Sequence, residues 1–383
     1  DNERMIACRL RYFVIICWHC CSWSFPQRHW SVLRNVKYPQ HYERLVLHSS
    51  KLQTSVERIL LQRGIVEESL MSWNQSPLLQ QQPNSKSLNP LDCYLNMLRT
   101  DGVVRIDTCL SDLIADSLRR YVLDLESRSL SDFECGKLSR KTDRFARVLL
   151  SQNRSDLKLP LGPDPIMAAL QQLLIVSPVG NILQRILGPK STLYECSCLI
   201  SHPGSVRQNI HPDHPFHVPN VEDDQRPPSE LRDPMVITAF VALQDIHRYN
   251  GPTVWIPGTH TANAHDRFQR RRVEDILEGE SPKDHLLRTT PNVVGYVPKG
   301  SCILFDSRVL HCGTANTSPP SHTLDNSRAL FYVSFLHPKV RYPGNEGSIG
   351  YGLENASLTL EELMHPELRD KNKPPWEDLY HFP

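Results

Sequence analysis

The sequence predicts a mainly β fold with flanking helices, its strands forming a barrel or sandwich. Three observations carry this reading. Short apolar runs follow one another between residues 192 and 336, parted by Gly/Pro turns. One of them, residues 235–243, is apolar on both faces, as a buried central strand requires. Thirty prolines in 383 residues break the chain too often for a helical bundle.

Along the chain, residues 1–40 show no clean period. Residues 41–73 read as helical, with Leu45, Leu52, Val56, Ile59 and Leu60 at mixed helical spacing. Residues 74–91 form a polar, Pro-containing linker. Residues 1–91 are therefore a partly helical N-terminal extension, and the main domain occupies 92–383 with a C-terminal extension of its own. Val103-Val104-Arg105-Ile106 is a short strand. Ser111 caps a helix that sets Leu113, Ile114, Leu118, Tyr121, Val122 and Leu125 on one face. Residues 164–187 give two more helical pieces, broken near Ser177-Pro178. Strands follow at 192–200, 235–243, 253–256, 301–305 and 328–336. In the last strand Arg328, Leu330, Tyr332 and Ser334 share a face, while Ala329, Phe331, Val333 and Phe335 form a wholly apolar one. Near the end, Thr359 and Glu362 make a capping box for a short helix.

Bulk numbers set limits on function. A net charge of +1 gives no electrostatic case for nucleic acid or an anionic membrane. No stretch is long enough for a stable membrane span. Eleven scattered cysteines read as mostly reduced thiols in an intracellular compartment, cytoplasmic or organellar. Cys17-Trp18-His19-Cys20 has no second pair at zinc spacing and reads as chance. Arg9 and Arg11 before a short apolar run are a weak targeting signal without a clear cleavage site.

The chemistry concentrates at His211-Pro212-Asp213 and the distant His311. An HxD pair plus one far histidine is the spacing of a 2-His-1-carboxylate facial triad, which leaves three sites open on a ferrous ion. In an extended strand His211 and Asp213 point to the same face. Arg328 follows His311 and suits bidentate pairing with a co-substrate carboxylate. HxD alone is weak, since about one match is expected by chance. His365-Pro366-Glu367 is such a decoy, sitting at the end of the capped helix.

Four motifs in order lift the signal. They are Asp101-Gly102-Val103-Val104 with the helix from Ser111; Pro203-Gly204-Ser205-Val206-Arg207-Gln208 leading into His211; Asn250-Gly251-Pro252 through Trp255 to Pro257-Gly258-Thr259-His260; and Lys299-Gly300-Ser301 through Asp306 ahead of Leu310-His311-Cys312-Gly313. In these the chain resembles the phytanoyl-CoA dioxygenase family of Fe(II)/2-oxoglutarate oxygenases, over about residues 92–340. The resemblance implies a double-stranded β-helix (jelly-roll, cupin-like) barrel. It implies His211, Asp213 and His311 as metal ligands and catalytic residues, and Arg328 as partner of the distal 2-oxoglutarate carboxylate. It implies an oxidoreductase, by default a hydroxylase, that consumes O2, releases succinate and CO2, and is stimulated by ascorbate. A carboxylate at Asp213 argues against halogenation, because halogenating relatives carry a small residue there.

One departure touches the co-substrate. The family often has a hydroxyl two residues after the distal histidine, where this chain has Gly313; Thr314 is the candidate substitute. The Asn250–His260 motif reads as turn and strand, with Trp255 as core and His260 as a polar turn residue. His202, His214 and His217 read as loop residues, with His214, Gln208 and Asn209 as lesser candidates for facing the site. Arg270-Arg271-Arg272 with Arg267 reads as an exposed helix face, although such a cluster also suits coenzyme A phosphates. The substrate is expected to be a small molecule, a lipid or an acyl-CoA. The competing class is a catalytically inactive jelly-roll binding module, because fold does not dictate function; a dead barrel usually loses a ligand or the arginine, and all four candidates are present.

Overall fold

The structure, a computed structural model, describes residues 89–149, 153–214, 236–269, 281–320, 326–339 and 358–369. The readings of residues 1–88, including Cys17–Cys20, and those of His217 and Arg270-Arg271-Arg272 lie outside them.

The domain opens on α1 (Pro90–Asp101), which takes in the last two residues of the expected linker. Asn89 caps it by accepting from Leu91 N, and Gly102 ends it at φ 74. β1 (Val103–Ile106) follows, then α2 (Asp112–Glu134), whose N-cap is Ser111 as expected. Leu118, Val122 and Leu125 of α2 are buried as its pattern demands, but Leu113 is 78% exposed. At about 100° per residue it lies about 140° around the helix from Leu118, off the buried stripe. β2 (Phe145–Leu149) and β3 (Arg154–Lys158) come next. Then α3 (Asp164–Gln171) runs through a π-turn, Gln172–Val176, and breaks at Ser177-Pro178 before α4 (Val179–Leu187). The remaining strands are β4 (Thr192–Ser201), β5 (Val236–Ala242), β6 (Thr253–Trp255), β7 (Val293–Val294), β8 (Cys302–Asp306), β9 (His311–Gly313) and β10 (Arg328–Leu336). Two helices, α5 (Ala262–Gln269) and α6 (Pro282–Thr289), lie between β6 and β7, and α7 (Leu360–Met364) carries the Thr359–Glu362 capping box.

Seven strands form one antiparallel sheet in the order β1-β8-β5-β10-β4-β3-β2, and three form a second in the order β7-β6-β9. This is the two-sheet arrangement of a double-stranded β-helix. Among the described residues the barrel does not close, because no strand runs in both sheets. Instead, isolated bridges such as Ile246–Val297 and Asn250–Asn316 extend the pairing beyond the strands.

The outer face of the large sheet packs on the helices. Ala329, Phe331, Val333 and Phe335 of β10 share one apolar cluster with Leu118, Val122, Leu173 and Leu183. Their alternates Leu330 and Tyr332 join Phe240, Trp255 and Phe305 in a second cluster on the inner face. The expected split of β10 into two faces therefore holds. Among the described residues no single helix is long and apolar enough to cross a membrane. The bent pair Asp164–Val176 and Val179–Leu187 passes by composition, but its Leu173, Leu174, Ile182 and Leu183 sit in the outer cluster.

Candidate metal centre

Two neighbouring backbone segments deliver the histidines. His211 N donates to His311 O, and His311 N donates to His211 O, both at 2.9 Å. This reciprocal pair is an isolated bridge beside β9, so His211 is not in the extended strand expected of it. Asp213 is positioned separately. Its N–H donates to Ser307 O at 2.9 Å, which ties it to the turn between β8 and β9. That turn is braced by a buried ion pair. Arg308 reaches Asp306 through Nε (2.9 Å) and Nη2 (2.6 Å), and Thr259 Oγ1 accepts from Leu310 N at 2.9 Å.

The ring orientations follow from two further hydrogen bonds. His211 Nδ1 meets Asn209 O at 2.7 Å, and His311 Nδ1 meets Val309 O at 2.8 Å. A carbonyl only accepts, so each Nδ1 carries a proton and Nε2 is the ring nitrogen left to face Asp213. Asp213 Oδ1 lies 3.4 Å from His311 Nε2 and 3.8 Å from His211 Nε2. One donor atom from each residue falls within 4.8 Å of the other two. Ligands about 2.1 Å from a common ion and at right angles stand about 3 Å apart, so a small contraction suffices for a metal. Among the described residues this is the one such group of metal donors.

Charge agrees with geometry. Burial pushes the Asp213 carboxyl up, but the charge and hydrogen bond of His311, followed by His211 and His214, bring it down to about 2. Burial pushes His311 down, yet Asp213 pulls it above its ordinary value. The carboxylate is thus held ionised with a ring nitrogen of each histidine beside it. The donor set of two imidazoles and one carboxylate suits ferrous iron with open positions.

The walls differ in polarity. Trp255 stacks on His311 at 6.4 Å and 24°, and Phe305 meets it edge-on at 5.3 Å. His311 is 4% exposed, whereas the Asp213 and His211 side chains are 30% and 36% exposed, so the centre opens on their side. His214 is buried, lies 6.2 Å from the Tyr194 ring, and is pushed by burial to about 4. His260 binds Arg99 O at 3.2 Å, and His202 binds Ser327 and Glu126, so both serve the scaffold. Asn250 holds its own turn through His247 N and Asp245 O. The decoy His365 pairs loosely with Glu367 at 3.4 Å on the surface.

Arg328 is fully buried on the inner face of β10. Its Nη1 donates to Gly251 O, while Nε and Nη2 have no partner. Gly313 lies where Gln208 comes in: Gln208 Oε1 accepts from Gly313 N at 2.9 Å. The Thr314 hydroxyl donates to Pro252 O at 2.7 Å, which uses its only proton. Sequence reasoning missed Arg154, fully buried on β3 beside Arg328. The signal was the Arg154, Asp156, Lys158 alternation, which places charges on the inward face of a strand.

The model of the phytanoyl-CoA dioxygenase family (PhyH) matches residues 98–323, more than half of the chain. Among solved structures, AviO1 from Streptomyces viridochromogenes Tue57 is 15% identical, with 68% of this chain and 100% of that one covered at a TM-score of 0.44. HygX from Streptomyces hygroscopicus, solved with nickel, 2-oxoglutarate and hygromycin B bound, is 15% identical over 64% of this chain and 86% of that one, at a TM-score of 0.42. The non-heme alpha ketoglutarate dependent carbocyclase SnoK from nogalamycin biosynthesis is 18% identical over 63% of this chain and 82% of that one, at 0.40.

Proposed function

The chain belongs to the phytanoyl-CoA dioxygenase family, and from that premise we propose that His211, Asp213 and His311 hold the iron(II) of a 2-oxoglutarate-dependent dioxygenase. The observation that carries this is the convergence of two Nε2 atoms and one carboxylate oxygen, with both Nδ1 protons committed to carbonyls. When bound, iron supplies the redox chemistry that couples decarboxylation of 2-oxoglutarate to oxidation of the substrate.

The chain's own residues do the rest. Asp213 contributes the one negative charge among the ligands. The Asn209 and Val309 carbonyls hold the imidazoles in one tautomer and raise their basicity. Trp255 and Phe305 keep water from the His311 side. Arg328 donates from Nε and Nη2 to the distal carboxylate of 2-oxoglutarate, a charge-assisted contact inside a dry wall. The substrate, a small molecule, approaches on the exposed side of His211 and Asp213; a lipid or an acyl-CoA is the finer reading. The seven described cysteines all carry free thiols, which supports an intracellular site of action.

The test is succinate formation by purified protein with iron(II), ascorbate and oxygen across pools of candidate substrates. Asp213→Ala sets the background, and circular dichroism confirms its fold. Substrate-dependent succinate above that background is expected. A folded parent that binds iron and 2-oxoglutarate yet never exceeds the background is a binding module, and the reading fails.

A further inference from the structure

We propose that Arg154 is a second guanidinium of the co-substrate subsite, donating to the same carboxylate as Arg328 and standing in for the hydroxyl that Gly313 removes. This rests on the 2-oxoglutarate reading above.

The sheet register brings the two arginines together. Ser201 of β4 pairs with Arg154 of β3 on one side and with Arg328 of β10 on the other. Residues in one row of a sheet share a face, so both side chains enter the inner layer from backbones about 10 Å apart. Each is anchored by one end only. Arg154 Nη2 donates to Val206 O at 3.0 Å and to Thr314 O, which leaves Nε and Nη1 without a partner. Arg328 is held at Nη1 by Gly251 O, with Nε and Nη2 without a partner. Four buried nitrogens with protons to donate therefore stand in one row.

No acid answers them. Among the described residues neither arginine is in an ion pair. Asp156, two residues along β3 on the same face, accepts from the Tyr332 hydroxyl at 2.8 Å. Glu126 takes Ser155 and His202. Burial lowers both from the ordinary arginine value, and at Arg328 the Arg154 charge lowers it further. An anion between them removes both costs. A carboxylate, with two oxygens and about four lone pairs, accepts from the Nε and Nη2 edge of Arg328 and from Nη1 of Arg154 at once.

Gly313 explains why Arg154 reaches this place. A Cβ there would lie 3.1 Å from Arg154 Nη1 and 2.6 Å from Gln208 Oε1. A serine or threonine would meet both side chains. The missing side chain is the room the guanidinium uses, so the chain has exchanged a neutral donor for a charged one.

The experiment titrates 2-oxoglutarate, and 2-oxovalerate as the same chain without the distal carboxylate, into manganese-loaded protein by calorimetry. Arg154→Met should weaken 2-oxoglutarate about 10- to 100-fold, the range for a hydrogen bond to a charged group, and leave 2-oxovalerate within twofold. Arg154→Lys should fall between, because it keeps the charge and loses the planar guanidinium that is held by Val206 O and Thr314 O. Adding Gly313→Ser to Arg154→Met should recover part of the loss, whereas Gly313→Ser alone should weaken 2-oxoglutarate. Unchanged 2-oxoglutarate binding by Arg154→Met overturns the proposal, and so does equal loss of both ligands, which marks a structural role. If Arg154→Met does not fold, Arg154→Lys is judged by the same two ligands. Loss on Arg328→Met without loss on either Arg154 variant leaves the general reading intact and removes this inference. A folded parent that binds no 2-oxoglutarate removes the general reading itself.

Discussion

Replacing Arg328 with methionine should make the ligand-free protein more stable while destroying its response to 2-oxoglutarate. Burial, with the Arg154 charge behind it, holds the Arg328 guanidinium down at about 9 against an ordinary 12.5. At about 1.4 kcal/mol per tenfold, keeping that charge costs the folded protein on the order of 5 kcal/mol. Methionine gives up the hydrogen bond to the Gly251 carbonyl, about 1.5–3 kcal/mol for a charged donor, and fills a similar linear space. The difference favours the variant by about 2–3.5 kcal/mol, as when buried ionic groups give way to apolar ones. For a domain of this size that is a rise of roughly 4–14 °C in Tm. The assay is a thermal melt of manganese-loaded protein with and without saturating 2-oxoglutarate. The parent should gain several degrees on adding the ligand, and Arg328→Met should start higher and gain nothing. A ligand-free variant that melts well below the parent refutes the argument, because the guanidinium would then be compensated by a group that stabilises the fold. The trade belongs to a wider pattern in which binding sites are paid for in stability.

Other perturbations test other parts. His311→Ala should cut manganese affinity at least tenfold by calorimetry with an unchanged circular dichroism spectrum, and retention of full affinity would remove His311 from the ligand set. Arg308→Met strands a buried Asp306 carboxylate and should lower unfolding free energy by about 3–5 kcal/mol in urea. Gly295→Ala places a Cβ 2.5 Å from the Trp255 ring, and the overpacking should cost about 1–3 kcal/mol, read in the same way. Burial lowers His260 and His265 from the ordinary 6.5, so below that pH the unfolded chain binds protons there more readily than the folded one. Stability of the metal-loaded protein should be full above about pH 6.5 and fall as the pH drops beneath it, and His265→Gln should flatten that slope.

Much of this architecture was legible because its signals are local. The Ser111 cap, the Thr359–Glu362 box and the break at Ser177-Pro178 each depend on a few adjacent residues, and each stands where the pattern put it. The two faces of β10 were readable because apolar residues fill one face without interruption. The three proposed ligands converge because family motifs preserve their order even when the chain between them varies. What escaped was what tertiary context decides. β9 is three residues long and carries no period. β3 alternates the opposite way from an ordinary half-buried strand: Ser155 and Leu157 face the helices while Arg154, Asp156 and Lys158 face inward. A polar face normally means solvent, and here it means the lining of a site. His211 was expected on a strand, but one reciprocal bridge to His311 does the work of the strand. Leu113 looked like core because helical spacing at mixed intervals tolerates one residue too many.

That reciprocal bridge has a consequence for which metal the protein carries when isolated. The two imidazoles hang from one pair of backbone hydrogen bonds, so their spacing is set before any ion arrives and changes little between ions. A frame of this kind does not choose iron by shape. It ranks divalent ions by their intrinsic preference for nitrogen and oxygen donors, an order that places nickel and copper above iron, with zinc also a strong competitor. Occupancy then reflects which ions were plentiful where the chain folded. Protein purified from a medium rich in nickel or zinc is expected to be correctly folded, fully loaded and silent, and to wake only after chelation and refilling with iron(II) under reducing conditions.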